Sequence, residues 1–174
     1  MKLVEVSEQK PVQLMDMLRE LGEGENGFGG TAVATGKMSL DDYVQKCMDY
    51  SHIEKVPQHL VPQTVFWILD DQDITVGMLR LRHYLNDNLL VHGGHIGFYI
   101  RPRERGKGYA KAALEQALSI LQSKREKRAL LTVDIKNGAS IGVITGCGGV
   151  LEDTRQDPET GRQYHRYWID LSGE

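Results

Sequence analysis

The chain has 174 residues, 40% hydrophobic and 26% charged, with a formal net charge of −3, a composition expected of one soluble globular domain covering residues 1–174. No apolar run approaches the roughly 18 residues that cross a bilayer, and the slight acidity speaks against a dedicated nucleic-acid binder. Cys47 and Cys147 lack metal-ligand spacing, and of six histidines only His92 and His95 stand close together. Neither a disulfide framework nor a metal centre is therefore expected. The segment MKLVEVSEQK has no signal-peptide core, because its apolar stretch stops at Val6. The expectation is a cytoplasmic protein with reduced thiols, no metal, no nucleic-acid partner and no membrane partner.

In chain order, KLVEV (2 to 6) alternates as a short strand does, and PVQLMDMLREL (11 to 21) carries Leu14, Met17, Leu18 and Leu21 at helical spacing. GEGENGFGGT breaks regular structure. Ser39 is placed to cap a second helix over 40 to 50. TVFWILD (64 to 70) and ITVGMLRLRHYL (74 to 85) read as a hairpin, NDN (86 to 88) as a turn, and VHGGHIGFYIRP (91 to 102) as the next strand. The clearest helix follows residue 108, with Ala110, Ala113, Leu114, Ala117, Leu118 and Leu121 three and four apart. A buried-type strand (129 to 135), a glycine-weakened helix in 137 to 149 and two closing strands complete one mixed α/β domain.

Two glycine-rich segments compete for attention. GEGENG (22 to 27) spells the dinucleotide fingerprint, but it follows a helix instead of a strand, and Glu23 and Glu25 would repel a pyrophosphate. RPRERGKGYAKAAL (101 to 114) lies between a strand and an amphipathic helix, with five cationic side chains and two glycines. Free N–H groups at a helix start point toward an anion, and glycine lets the backbone approach it. A solvated turn before a surface helix is the plainer alternative, and an RNA-binding patch a third. No G-K-[ST] ending follows, which argues against an NTPase.

Arg105, Gly108 and Ala110 in RGKGYA match the Q/R-x-x-G-x-G/A motif of the GNAT superfamily of N-acetyltransferases, and the chain resembles that family. IRPRERGKGYA looks like its strand-loop-helix unit, NGAS (137 to 140) like its Asn-x-x-Ser element, and CGGVLEDT (147 to 154) like the passage that follows. The resemblance implies a mixed, mostly antiparallel central sheet of six to seven strands, about four flanking helices and two parallel strands that splay apart at the acetyl-CoA site. It implies acetyl-CoA as cosubstrate, held by the amides of Arg105, Gly106, Lys107, Gly108, Tyr109 and Ala110, with its arm along Phe98, Tyr99 and Ile100 and beside Asn137 and Ser140. Helix capping is the alternative role for those last two.

The family's usual tyrosine acid, four or five residues past the serine, is replaced by Ile144 and Thr145. Tyr164, Tyr167 and Tyr109 are the substitutes the sequence offers. A lysine-type amine must shed a proton at a cost of ~4.6 kcal/mol at pH 7 before it attacks, and His95 and His92 stand where a base would be needed. Each is equally an ordinary strand histidine. Glu23 and Glu25 are candidates to draw a cationic acceptor. Cys147 as an acyl carrier is the less favoured alternative to a structural thiol. The function so read is N-acetyl transfer to a primary amine, on a small molecule or a protein, in a ternary complex; the alternative is a non-catalytic acyl-CoA-binding module. A homodimer is a further expectation from the resemblance.

Overall fold

The computed structural model describes residues 1–173. Strand β1 (Lys2–Glu5) leads to α1 (Leu14–Leu21), the two-residue strands β2 (Gly24–Glu25) and β3 (Phe28–Gly29), and α2 (Leu40–Asp49). Then come β4 (Gln63–Leu69), β5 (Thr75–Arg82), α3 (Asp87–Val91), β6 (Ile96–Ile100), α4 (Tyr109–Ser123), β7 (Arg128–Asp134), α5 (Gly138–Gly146), β8 (Val150–Gln156) and β9 (Gln163–Asp170). The sheet strands do not form one ladder. They divide into a four-stranded sheet ordered β1-β4-β5-β6 and a three-stranded sheet ordered β7-β9-β8, every pairing antiparallel. There are five helices among the described residues, one more than the sequence suggested.

β4 is buried on both faces because helices cover both. Val65, Trp67 and Leu69 join a core under α1 and α2, whereas Phe66 and Ile68 join a second core under α4. On β5, Met78 faces the first core while Leu79 and Leu81 face the second, so alternation puts Arg80 and Arg82 on the side of Met78. Helix α4 buries Ala113, Leu114, Ala117, Leu118 and Leu121 with residues of both sheets and so bridges them.

The region after β5 departs from the sequence reading. β5 stops at Arg82, and Asn86 accepts a hydrogen bond from Leu89 N–H at 3.0 Å, capping α3 where a turn and then strand had been expected. The chain then turns at Gly93 and Gly94, and β6 begins only at Ile96. A Cβ on Gly94 would lie 2.3 Å from Leu130 O, so only glycine fits there. The 22 to 31 segment is likewise not irregular throughout: Gly24 pairs with Gly29 and Glu25 with Phe28 around Asn26 (φ 50°) and Gly27 (φ 85°). Asn-Gly is a strong short-range hairpin signal.

The two sheets touch at one place. His95 N–H donates to Leu130 O at 2.7 Å, and Leu130 N–H donates to the His95 ring, Nδ1, at 3.0 Å. An isolated bridge joins Gly94 and Leu131 beside them. The imidazole takes the place a strand carbonyl would occupy, which ends the ladder there. Beyond it β6 and β7 belong to different sheets.

Candidate active site

That gap opens into a cavity of about 650 Å³ lined on one wall by Ile96–Ile100 and on the other by Leu131–Asp134. The loop before α4, the β2–β3 hairpin, His92 and Tyr164 complete the lining, and the hairpin is tied to the loop through Glu25 and Arg105. Buried backbone groups require partners, so the unpaired facing edges of β6 and β7 offer a strand-like slot to an amide-bearing ligand.

The loop end is an anion seat made of backbone. Gly108, at φ 84°, is the N-cap of α4 without any side-chain cap, and Gly106 sits at φ 77°. Among the described residues the N–H groups of Gly106–Lys111 have no acceptor, the first helical bond being Ala112 N–H to Gly108 O at 3.1 Å. Six free amides at a helix start favour a phosphate-type anion. Arg105 N–H is not among them, since it closes a turn on Pro102 O at 3.4 Å.

The cationic side chains contribute less than the sequence suggested. Arg101 is 1% exposed and bonds both carboxylate oxygens of Glu20, with Gln13 Oε1 at 2.8 Å and Thr75 O at 3.0 Å. Arg103 reaches Gln13, Lys107 pairs with Glu104 at 2.7 Å, and Arg105 pairs with Glu25 at 2.6 Å while bonding Ile100 O. Only Lys111 is loosely held, 3.9 Å from Glu115. The charges build and brace the loop, and the amides are left to receive a ligand.

The remaining predicted residues are distributed as follows. Phe98, Tyr99, Ile100, Tyr109 and Ala110 line the cavity, as do Asn137 and Ser140. Asn137 also caps α5, its Oδ1 accepting from Ser140 N–H at 3.2 Å, so the capping role is present in residues that line the cavity. Glu25 lines the cavity but is neutralised by Arg105; Glu23 is exposed and does not line it. Ile144 fills the place of the expected tyrosine and is buried, while Thr145 turns its hydroxyl back to Ile141 O. Cys147 ends α5 outside the cavity lining, and burial pushes its thiol up, which does not favour a nucleophile. Tyr167 is packed in the core.

His95 is removed from the chemistry by its surroundings. It is 2% exposed and outside the cavity lining, its Nδ1 accepts from Leu130, and its Nε2 faces Glu126 Oε2 at 3.7 Å. Burial, reinforced by Arg82, lowers its pKa to about 4. The neutral ring thus serves as a joint between sheets. Its stability contribution is complete above the ordinary value of 6.5 and is lost as pH falls toward 4, on the order of 3 kcal/mol. Thermal unfolding measured from pH 7 to 4 should show the wild type losing more stability than His95→Gln, whose amide oxygen can still accept from Leu130.

His92 and Tyr164 do meet at the cavity, in an edge-to-face contact with centroids 4.5 Å apart. The buried Tyr164 hydroxyl donates to Val91 O at 2.9 Å, and His92 is exposed at the mouth. Three features were missed in the sequence: Phe28, which stacks near Tyr99 at 6.2 Å and covers Gly97, and the arginines Arg80 and Arg82, which line the cavity with it. The alternation in MLRLR, two arginines on one face of a buried strand, was the available signal.

Among the described residues no three His, Cys, Asp or Glu side chains form a metal-holding group, and no helix is long and apolar enough to cross a membrane. In overall structure the chain is similar to a spermidine N-acetyltransferase SpeG mutant from Vibrio cholerae (TM-score 0.67, 17% identity, covering 99% of this chain and 96% of that one). It is similar also to a putative acetyltransferase from Acinetobacter baylyi ADP1 (0.66, 12%, 99% and 94%). A third, yncA from Salmonella typhimurium, a putative acetyltransferase whose structure contains its cofactor acetyl-CoA, aligns over 79% of this chain and 77% of that one (0.57, 12%). No curated protein matches in sequence. Residues 34–148, more than half of the chain, match the profile of the Acetyltransferase (GNAT) family, and the chain belongs to that family.

Proposed function

We propose that the protein is an N-acetyltransferase that moves the acetyl group of acetyl-CoA to a primary amine by direct attack in a ternary complex. The observation that carries this is the run of free amides at Gly106–Lys111, opening onto the unpaired slot between β6 and β7. The fit is physical: the amides suit a diphosphate, and a Cβ at Gly106 or Gly108 would meet nothing within 4 Å, so the approach to them is open. The slot between the strand edges, which we read as the family's splayed parallel pair, suits the amide-bearing arm. When bound, acetyl-CoA supplies an activated thioester with a tolerable leaving group.

The chain's own residues then have definable tasks. Phe98–Ile100 on one side and Asn137 and Ser140 on the other orient the arm. On this reading His92, exposed at the mouth, takes the proton an ammonium acceptor must lose and relays it to solvent. We assign the departing sulfur's proton to Tyr164, whose hydroxyl donates to Val91 O at rest and must turn from it, a role Ile144 cannot fill. Tyr164→Phe is expected to lower kcat at least tenfold while the acetyl-CoA Kd changes by less than a factor of two. An equal loss in both would assign Tyr164 to binding.

The function itself is tested by release of CoA thiol from acetyl-CoA, with and without amines. Release that requires an amine supports transfer. Tight acetyl-CoA binding with no release in the presence of any acceptor would turn the reading to a binding module.

A further inference from the structure

The cavity end beyond the anion seat carries an unbalanced charge. Of the carboxylates lining the cavity, Glu25 pairs with Arg105 and Glu104 with Lys107, while Asp134 and Asp157 accept backbone N–H groups, from Lys136 at 2.8 Å and from Glu159 and Thr160, and keep their charge. Arg80 and Arg82 line it too, and among the described residues neither has a carboxylate partner. The Arg80 guanidinium lies 4.3 Å from the centroid of the Phe28 ring, which holds it in place at the hairpin. Arg82 bonds only the carbonyls of Gly93 and Gly94, each at 3.2 Å. Burial and the neighbouring Arg80 charge together push Arg82 down to about 10. Two like charges side by side in a half-buried wall are costly unless an anion joins them.

Their position separates them from the donor's seat. In the β5–β6 register Arg80 lies opposite Gly97, whereas Gly77 lies opposite Ile100, where β6 runs out toward the 105 to 110 loop. Three residues of strand span about 10 Å, so Arg80 stands well along the slot from the phosphate-binding amides.

We propose that the amine acceptor carries an anionic group, a carboxylate, received by Arg80 with Arg82 beside it, so that the substrate class is an amino acid or a similar carboxylated amine. This rests on the transferase reading above. A guanidinium seated over an aromatic ring, as Arg80 is over Phe28, keeps N–H donors for two parallel hydrogen bonds to a carboxylate. A polyamine, by contrast, would meet two arginines on β5, with only Asp134 and Asp157 among the lining carboxylates lacking a cationic partner. The spermidine enzymes that share the fold do not carry over their acceptor on this account.

The test compares CoA release with the proteinogenic amino acids, each against its own α-amide, and with spermidine, for wild type and Arg80→Gln. Calorimetric acetyl-CoA binding is measured in parallel. The expected result is at least a tenfold higher kcat/KM for one or more free acids over their amides. Arg80→Gln should raise KM for those acids at least tenfold, change kcat less than threefold, leave acetyl-CoA affinity as it was and abolish the acid-over-amide preference. Arg80→Lys should restore part of it. Preference for amides or spermidine, an unchanged preference in Arg80→Gln, or a loss confined to acetyl-CoA binding would each overturn the proposal. If no amine is turned over, the transferase reading fails separately. The anion site is then judged by thermal unfolding of the CoA-loaded protein with the N-acetylated acids and their amides: stabilisation by the acids that vanishes in Arg80→Gln supports it, and none refutes it.

Discussion

Gly108→Asp is expected to weaken acetyl-CoA binding by about thirtyfold or more, near 2 kcal/mol, with little change in the fold. The site allows the side chain physically, since nothing lies within 4 Å of a Cβ built there. The backbone at φ 84° costs an L-residue about 1 kcal/mol, with aspartate among the better tolerated. Aspartate is also a good N-cap, and its carboxylate can accept from the free amides of the first turn of α4. The variant therefore carries its own anion in the seat, where it repels the donor's phosphates and occupies their hydrogen bonds. Gly108→Ala separates the two causes, having the backbone cost without the charge, and should lose less than fivefold. Calorimetric titration of both variants with acetyl-CoA checks this; affinity unchanged in Gly108→Asp would move the phosphate site elsewhere.

The second large effect concerns stability. Arg101→Met removes a guanidinium that is 1% exposed and takes its donors from the Glu20 carboxylate and Thr75 O, while Gln13 Oε1 keeps only its bond from Arg103. Breaking a buried pair by removing one partner costs roughly 3–5 kcal/mol. The Glu20 side chain keeps 35% exposure and can rehydrate, which favours the lower figure. About 3 kcal/mol in a chain of this size lowers Tm by roughly 6–12 °C. Replacing Glu20 by Met as well should recover part of the loss, because no orphaned charge remains. Arg101 holds the Glu20 carboxyl below its ordinary value of 4.5, so the pair's contribution is whole above that pH and fades as pH drops below it. A Tm within 2 °C of wild type in Arg101→Met would show that the pair does not secure α1 to the end of β6.

How much of this was visible in the sequence depends on the range of the interactions. Ser39 caps α2 as read, its hydroxyl accepting from Asp42 N–H at 3.1 Å, because a cap is settled within four residues. The strand-loop-helix unit around Gly106 and Gly108 was legible for the same reason, and the family with it. Helix α3 was obscured because the apolar letters of LLVHGGHIG suit a strand as well as a helix, and the cap at Asn86 with the tight approach of Gly94 to Leu130 decided the matter. The single central sheet gave way to two because the His95 ring, a side chain, took a backbone partner. Strand periodicity does not encode such a substitution. The charge count in 101 to 111 was correct, yet its meaning depended on partners 80 or more residues away, Glu20 and Glu25, which no local reading supplies. Arg80 and Arg82 were passed over because their letters fit an ordinary half-exposed strand; only their lack of acidic neighbours sets them apart.

The meeting of the two sheets at a single point has a thermodynamic consequence. On the reading proposed above, a donor lying in the slot supplies hydrogen-bonding groups to β6 and β7 and acts as a strand the chain itself lacks. Whatever binds only the folded state adds RT ln(1 + [L]/Kd) to its stability, about 2.7 kcal/mol at a hundredfold excess over Kd. Cohesion between the halves is then partly borrowed from the metabolite, and the survival of the protein against unfolding and proteolysis rises and falls with the acyl-donor supply around it.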